Sequence, residues 1–320
     1  MAIFVDDTSA SVAISATNAE WINMLVAQPP LLVSSVGAPA RTFLLSDLAL
    51  DTIDWAPYRL CVFLNAYVVP PHIAAAIATK LKGGGKTLVW THMAGVLAAP
   101  SPAGPRALNT TAMSELVGIN LTRGAGASPL FTHVPAGPTL GPGFPRDYGS
   151  ATVAVDPWFY HAGHSGAAQE REHERQQQAA QVEVLGTLAA AGTAALATLV
   201  RAVDVGRNYT SVFSSTPGMP VQLWRALAAT AGVHMYVDDS ACSVDPDAWE
   251  AADSVEVRGR FLLVHAAATC SGVAAVRRAV RLPAAVKAVT AEGGATVCTD
   301  CDTFQTPPMV AGDVHLFTLG

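Results

Sequence analysis

The sequence predicts an α/β protein: a parallel sheet flanked by helices, followed by a small antiparallel β domain. Three observations predict it. Residues 60–64 are a continuous apolar run, as a strand buried on both faces requires, and residues 87–90 start a second buried strand. Between them Ile73, Ile77 and Leu81 recur every four residues, the stripe of a crossover helix, so the three segments form one right-handed parallel unit. Beyond residue 253 the pattern changes to short β-rich runs separated by Gly, Pro and Asp, with no helical period.

The elements follow in order. Residues 2–5 form a short apolar strand that ends at Asp6 and Asp7. Asn18 is placed to cap a helix carrying Trp21, Ile22, Leu25 and Val26 on one side; Pro29 and Pro30 break it, and residues 31–36 resume it. A second strand at 42–45 leads into a connection holding Asp47, Asp51 and Asp54. In the central unit Pro70 and Pro71 fit a first helical turn, where no donor is needed, and the glycines at 83–85 end the helix because Gly takes a left-handed backbone without strain.

Thr110 or Thr111 is expected to cap a short helix through Met113, Leu116 and Val117, ended by Gly118. Residues 122–150 are rich in Gly and Pro and read as surface loop with at most short strands, and 152–160 as extended. Three more strands are expected at 182–188, 194–200 and 210–214. A helix then starts near Pro220, buries Val221, Leu223, Trp224, Leu227 and Ala228, and stops at Gly232. Residues 234–237 read as the last strand of this layer. The polar stretch after it sets a boundary: an α/β domain over residues 1–240 and a β domain over 241–320, with strands at 254–257, 261–266, 279–282, 286–290, 296–298 and 314–319.

Composition narrows the function classes. Of the 320 residues 51% are hydrophobic and only 14% charged, which supports a large core and argues against disorder. A net charge of −6 gives no reason to expect nucleic acid or an anionic membrane as partner. No apolar run approaches the roughly 20 residues that span a bilayer. The opening MAIFVDD lacks a basic segment and reaches two Asp at once, so it does not read as a signal peptide. Yet three of the six asparagines, Asn109, Asn120 and Asn208, stand in N-x-Ser/Thr sequons, more than chance supplies. The compartment stays open: extracellular if a targeting segment lies upstream, cytoplasmic otherwise.

Cysteine does not decide it. Cys61 sits in a buried strand as a small hydrophobe. Cys242, Cys270, Cys298 and Cys301 all fall in the last third and allow up to two disulfides, with the pairing not legible. The single CxxC at 298–301 lacks the second pair of a structural zinc site.

Candidate chemistry belongs past the carboxyl ends of the parallel strands. Those ends carry Asp6, Asp7, Asn65, Tyr67 and His92. The strand-to-helix turn at 91–95 has the shape of a nucleophile elbow, Thr91-x-Met93-x-Gly95, but a thioether has no proton to lose and cannot attack a carbonyl. No catalytic residue is therefore assigned and no cofactor is expected. An unusual hydrolase using His92 with Asp6 or Asp7 would still need a nucleophile. Tyr67, Trp90, Trp158 and Tyr160 at strand ends could stack on sugars, though such aromatics more often fill cores. The run HAGHSGAAQEREHERQQQ contains His161, His164 and His173, weak candidates for a metal site; its Gln, carboxylates and glycines read rather as a solvated surface insertion over residues 161–181.

Several strings together carry a resemblance. YRLCVFLNAY at 58–67, GGKTLVW at 84–90, Gly95, MSELVG at 113–118, DPWFY at 156–160, VLG at 184–186, STPG at 215–218 and AGVHMY at 231–236 look like the trimerisation domain of glycoside hydrolase family 42 β-galactosidases. GRFLLVHA at 259–266, RLP at 281–283 and VHLFTL at 314–319 resemble the small β domain that follows it. The resemblance implies a class I glutamine-amidotransferase-like, flavodoxin-like sheet without catalytic function. In the family the sugar-cleaving carboxylates lie on a TIM barrel, and no barrel-length segment occurs in these residues. The doublets Asp6-Asp7 and Asp238-Asp239 do not replace it, because neighbours on an extended chain point to opposite faces, while glycoside hydrolysis needs two carboxyls about 5–9.5 Å apart across one bond. The implied partners are further copies of the chain, as a trimer if the family pattern holds, or a TIM-barrel glycosidase domain. The alternatives are a carbohydrate-binding module, with a carbohydrate ligand, or the C-terminal fragment of an active secreted β-galactosidase-type glycosidase.

Overall fold

The computed structural model describes residues 1–9, 24, 28–97, 107–135, 139–140, 147–163, 180–188, 196–237, 253–266, 275–310 and 312–320. The chain divides into two units, one of residues 2–29 and 42–219, the other of residue 1, 30–41 and 220–320. The expected boundary at 240/241 and the helix capped by Asn18 lie outside the described residues.

The first unit is built on β1 (Ala2–Val5), β2 (Arg41–Leu44), β3 (Leu60–Phe63) and β4 (Lys86–Thr91), and on β5 to β11 (Leu121–Arg123, Ser128–His133, Asp147–Val155, Phe159–His161, Ala180–Leu188, Leu196–Asp204 and Tyr209–Ser214). All lie in one sheet whose main path runs β2-β1-β3-β4-β11-β10-β9-β6-β7. Strands β1, β3, β4 and β11 pair in parallel, which puts their carboxyl ends along one edge. The register aligns Phe4, Phe63, Trp90 and Phe213 in one row across them. Within that row the Phe4 and Phe63 rings stack at 4.8 Å and Phe63 and Trp90 at 4.0 Å.

Two of the helices, those after β3 and β4, pack on the same aromatic row. Helix α1 (Gln28–Ser34) precedes β2, and α2 (Pro71–Lys80) begins on Pro70 as expected. Ile73, Ile77 and Leu81 bury against the row, as do Met113, Leu116 and Val117 of α3 (Thr110–Val117). Pro29 and Pro30 lie in the first turn of α1, where a missing N–H leaves nothing unsatisfied; the helix they were expected to break lies outside the described residues. Asn109, not either threonine, caps α3 by accepting from the Ala112 N–H at 2.9 Å, and Gly118 closes it with φ 77°.

Three sequence expectations are corrected. Residues 122–150 are not mainly surface loop: β6 and β7 form a hairpin within the sheet, with Leu130, Thr132 and Tyr148 buried. Gly149 permits the pairing, since a Cβ there would stand 2.2 Å from the Leu130 carbonyl oxygen. Beyond β11 the sheet is antiparallel, because a turn over residues 205–208 is too short for a parallel crossover. Residues 234–237 form no strand of that sheet; among them Val237 makes an isolated bridge with Val280 in the second unit.

The second unit holds α4 (Val221–Thr230) and a five-stranded sheet ordered β12-β13-β16-β14-β15. Its strands are β12 (Ser254–Arg258), β13 (Phe261–His265), β14 (Ala279–Ala291), β15 (Thr296–Gln305) and β16 (Val314–Leu319). The two strands expected at 279–282 and 286–290 are one, β14, whose register shifts between Arg281 and Val286, around Pro283. Val255, Leu262, Val264, Val280, Val289, Phe304 and Phe317 form its core. Arg225 donates to the carbonyls of Val36 at 2.7 Å and Val237 at 3.2 Å. Arg278 and Asp253 form a buried ion pair. Cys298 and Cys301 are disulfide-bonded, and Cys242 and Cys270 lie outside the described residues. Among the described residues no helix is long and apolar enough to cross a membrane.

Candidate functional site

At the carboxyl ends of β1 and β3 the polar side chains are used in holding the strands together. Asn65 accepts from the Asp6 N–H and donates to the Asp6 carbonyl, both at 2.7 Å, so its amide replaces a missing rung between two strand ends. The Asp6 carboxylate accepts from the Thr8 hydroxyl at 2.7 Å and the Ser9 N–H at 2.9 Å, and so caps the helical turn at residues 7–9. The Ser9 hydroxyl donates to Asp6 and accepts from the N–H groups of Tyr67 and Val68, each at 3.1 Å. Asp6 and Asn65 are thus buried and committed, while Asp7 is exposed.

The elbow at the end of β4 has the strained backbone its spacing suggests, one residue earlier. His92, not Met93, carries the positive φ, 56°. Its N–H donates to the Ser214 carbonyl at 2.7 Å, and Nδ1 donates to the Ser215 carbonyl at 3.0 Å, which fixes the Nδ1–H tautomer. With 1% of its surface exposed, His92 has its pKa lowered to about 4 by burial, the Ser215 bond opposing this in part. Thr91 donates to the Phe63 and Leu64 carbonyls. Met93 packs on the core. Gly95 (φ 66°) lies under Leu116, whose Cδ2 would be 2.5 Å from a Cβ. Tyr67 is fully buried edge-on to His92 at 6.3 Å, with burial pushing its hydroxyl pKa upward.

Beside His92 lies a group of hydroxyls that sequence reasoning missed. Thr132 bonds to Thr198 at 2.8 Å and to Thr216 at 2.6 Å. The Ser214 hydroxyl donates to the Thr216 carbonyl at 2.7 Å, so Tyr148 is the donor in its 2.7 Å bond to Ser214. Ser215 accepts from the Phe159 N–H at 3.2 Å. All five Ser and Thr side chains are buried. The one local signal was three consecutive hydroxyls, residues 214–216, at the end of an apolar strand. Their partners come from β6, β7, β8 and β10, which no short-range pattern connects to them. The Ser214 proton points to a carbonyl, so this hydroxyl is held as structure.

Of the stacking candidates, Tyr67 and Trp90 are core residues, Trp158 is buried with Nε1 donating to the Gly126 carbonyl at 3.0 Å, and Tyr160 is half-buried against Trp158. They form no common platform. His161 bonds through Nδ1 to the Asn120 carbonyl at 2.8 Å; His164 and His173 lie outside the described residues. Among the described residues no cluster of three metal-ligating side chains occurs. Asn109, Asn120 and Asn208 are all exposed, Asn208 in the left-handed conformation (φ 56°) at the β10–β11 turn.

No family model matches the chain, and no curated protein matches it. Solved structures do. A catalytic mutant of Gan42B, a GH42 β-galactosidase from G. stearothermophilus, matches with a TM-score of 0.54 at 13% identity, over 100% of this chain and 40% of that one. The β-galactosidase of the Antarctic haloarchaeon Halorubrum lacusprofundi gives 0.54 at 14% identity over 99% and 39%. That of the psychrophilic Marinomonas ef1 gives 0.50 at 10% identity over 99% and 37%. The chain therefore has the fold of a part of family 42 β-galactosidases, in agreement with the resemblance carried by its sequence motifs. It spans about two fifths of the length of these solved chains.

Proposed function

We propose that this chain is a non-catalytic assembly and support module of a β-galactosidase-like glycoside hydrolase. The observation that carries the proposal is the match of the whole chain to about 40% of solved β-galactosidases. The local chemistry agrees. At the strand ends Asp6, Asn65, Ser214 and the Nδ1 of His92 are engaged in bonds that hold the scaffold. On this reading the sugar-cleaving carboxylates belong to a TIM-barrel segment. The chain binds such a segment or further copies of itself, as a trimer if the family pattern holds. If it passes through a secretory pathway, the exposed Asn109, Asn120 and Asn208 are its glycan acceptors, read out as a mass loss on enzymatic deglycosylation.

The test is hydrolysis. The purified chain is expected to release no chromophore from an aryl β-galactoside above the buffer blank. Turnover that tracks the protein through purification and falls in His92→Asn would overturn the proposal and restore an unusual hydrolase.

A further inference from the structure

The outer face of the five-stranded sheet is the feature left unexplained. In β13 and β16, which pair antiparallel, Leu262 and Phe317 face the core, while Phe261, Leu263 and His265 lie opposite Thr318, Leu316 and Val314 on the other face. Phe261 is 43% exposed, Val314 50% and Leu316 36%. Leu263 is half-buried between its neighbours. Scattered apolar surface residues need no explanation, but these four are cross-strand and next-but-one neighbours in the middle of one sheet face.

Charges border the strip on both sides. On β12 the register puts Arg258 beside Phe261 and Glu256 beside Leu263; within one copy these two charges pair at 3.4 Å while staying largely exposed, and Arg260 lies over one side of the Phe261 ring at 5.5 Å. On the other side Thr290 stands opposite Thr318, and the Glu292 N–H bonds to the Leu316 carbonyl. The face thus has two successive rows across the strands: Arg258, Phe261, Thr318, Thr290; then Glu256, Leu263, Leu316, Glu292.

We infer that this face docks a second copy of the chain, sheet on sheet, about a two-fold axis. The axis lies in the interface, perpendicular to the strands, between the two rows. It lays Arg258 of one copy over Glu256 of the other, and Phe261 over Leu263, in an isologous contact with the strands aligned as packed sheets prefer. An axis parallel to the strands would instead lay Glu256 over Glu292, like charge on like, so the charge pattern selects the first arrangement. Four strands at about 4.8 Å and five residues at about 3.4 Å give a flat area of roughly 300 Å² per copy. Two such faces bury roughly 600 Å² together, below the roughly 1,200 Å² of the smaller standard interfaces, so the dimer is a weak, concentration-dependent one. The inference rests on this sheet face alone and not on the assembly role proposed above.

The experiment is sedimentation velocity of the full chain from about 1 to 200 µM at moderate salt. Wild type is expected to shift from monomer to dimer across this range. Leu263→Glu is expected to weaken the dimer at least tenfold while leaving the thermal midpoint nearly unchanged, since the side chain points away from the core. Arg258→Glu is expected to weaken it as well, and the exchange Arg258→Glu with Glu256→Arg to restore it, because the two-fold then pairs the swapped charges. A chain that stays monomeric at 200 µM, or a dimer indifferent to Leu263→Glu, overturns the inference. Hydrolytic activity of the chain would affect the function proposed above but not this result.

Discussion

His92 offers a pH test of the buried elbow. In the folded protein its pKa is about 4, depressed by burial, against about 6.5 for a histidine in the unfolded chain. Above pH 6.5 the ring is neutral in both states, and its contribution to stability is fully present. As pH falls below 6.5 the unfolded chain takes up a proton that the folded protein excludes, so stability is lost, down through the folded value near 4. Between pH 7 and pH 5 these two values give a loss of about 2 kcal/mol, growing to about 3 kcal/mol at pH 4. The perturbation is His92→Asn, which removes the titration and keeps a residue that accepts a left-handed backbone. Urea unfolding of both proteins at pH 7 and pH 5 gives a double difference in which the carboxylates common to both cancel. Wild type should lose about 2 kcal/mol more than the variant over this interval. Equal losses in the two proteins would show that the ring is solvated or already charged, and would refute the buried-elbow reasoning.

Other outcomes are expected from the same structure. Asn65→Ala strands the buried N–H and carbonyl of Asp6 and should lower stability by about 2–4 kcal/mol in urea unfolding, whereas Asp7→Ala, at an exposed position, should change it by less than about 0.5. Arg278→Met or Asp253→Leu alone leaves a buried charge and should destabilise by about 3–5 kcal/mol; the double variant should regain most of it, and an additive double loss would contradict the ion-pair account. On the sequence reading of residues 161–181 as a solvated insertion, deleting 164–178 should move the thermal midpoint by no more than about 2 °C, since loop length enters entropy only logarithmically; a large or metal-dependent drop would reveal a binding site at His164 and His173.

The sequence by itself determined what short-range physics controls. The apolar run at 60–64, the second buried strand at 87–90, the four-residue stripe of Ile73, Ile77 and Leu81, and the stops at Gly118 and Gly232 depend on neighbours a few positions away, and each was legible as strand, helix or terminus. The α/β layer followed by a β sheet was legible for the same reason. Other features depended on pairing between distant segments. Residues 128–133 and 147–150 looked like loop because Gly and Pro interrupt that stretch, yet the sheet supplies partners that override weak propensity. The thioether at Met93 was visible from the elbow spacing, but the strain on His92 was not, since a positive φ is imposed by what surrounds the turn. Whether Asp6 and Asn65 faced a ligand or each other was likewise a tertiary question. They lie 59 residues apart, and only the parallel register of β1 with β3 brings the amide onto the strand end, where a buried backbone donor and acceptor would otherwise go unpaired.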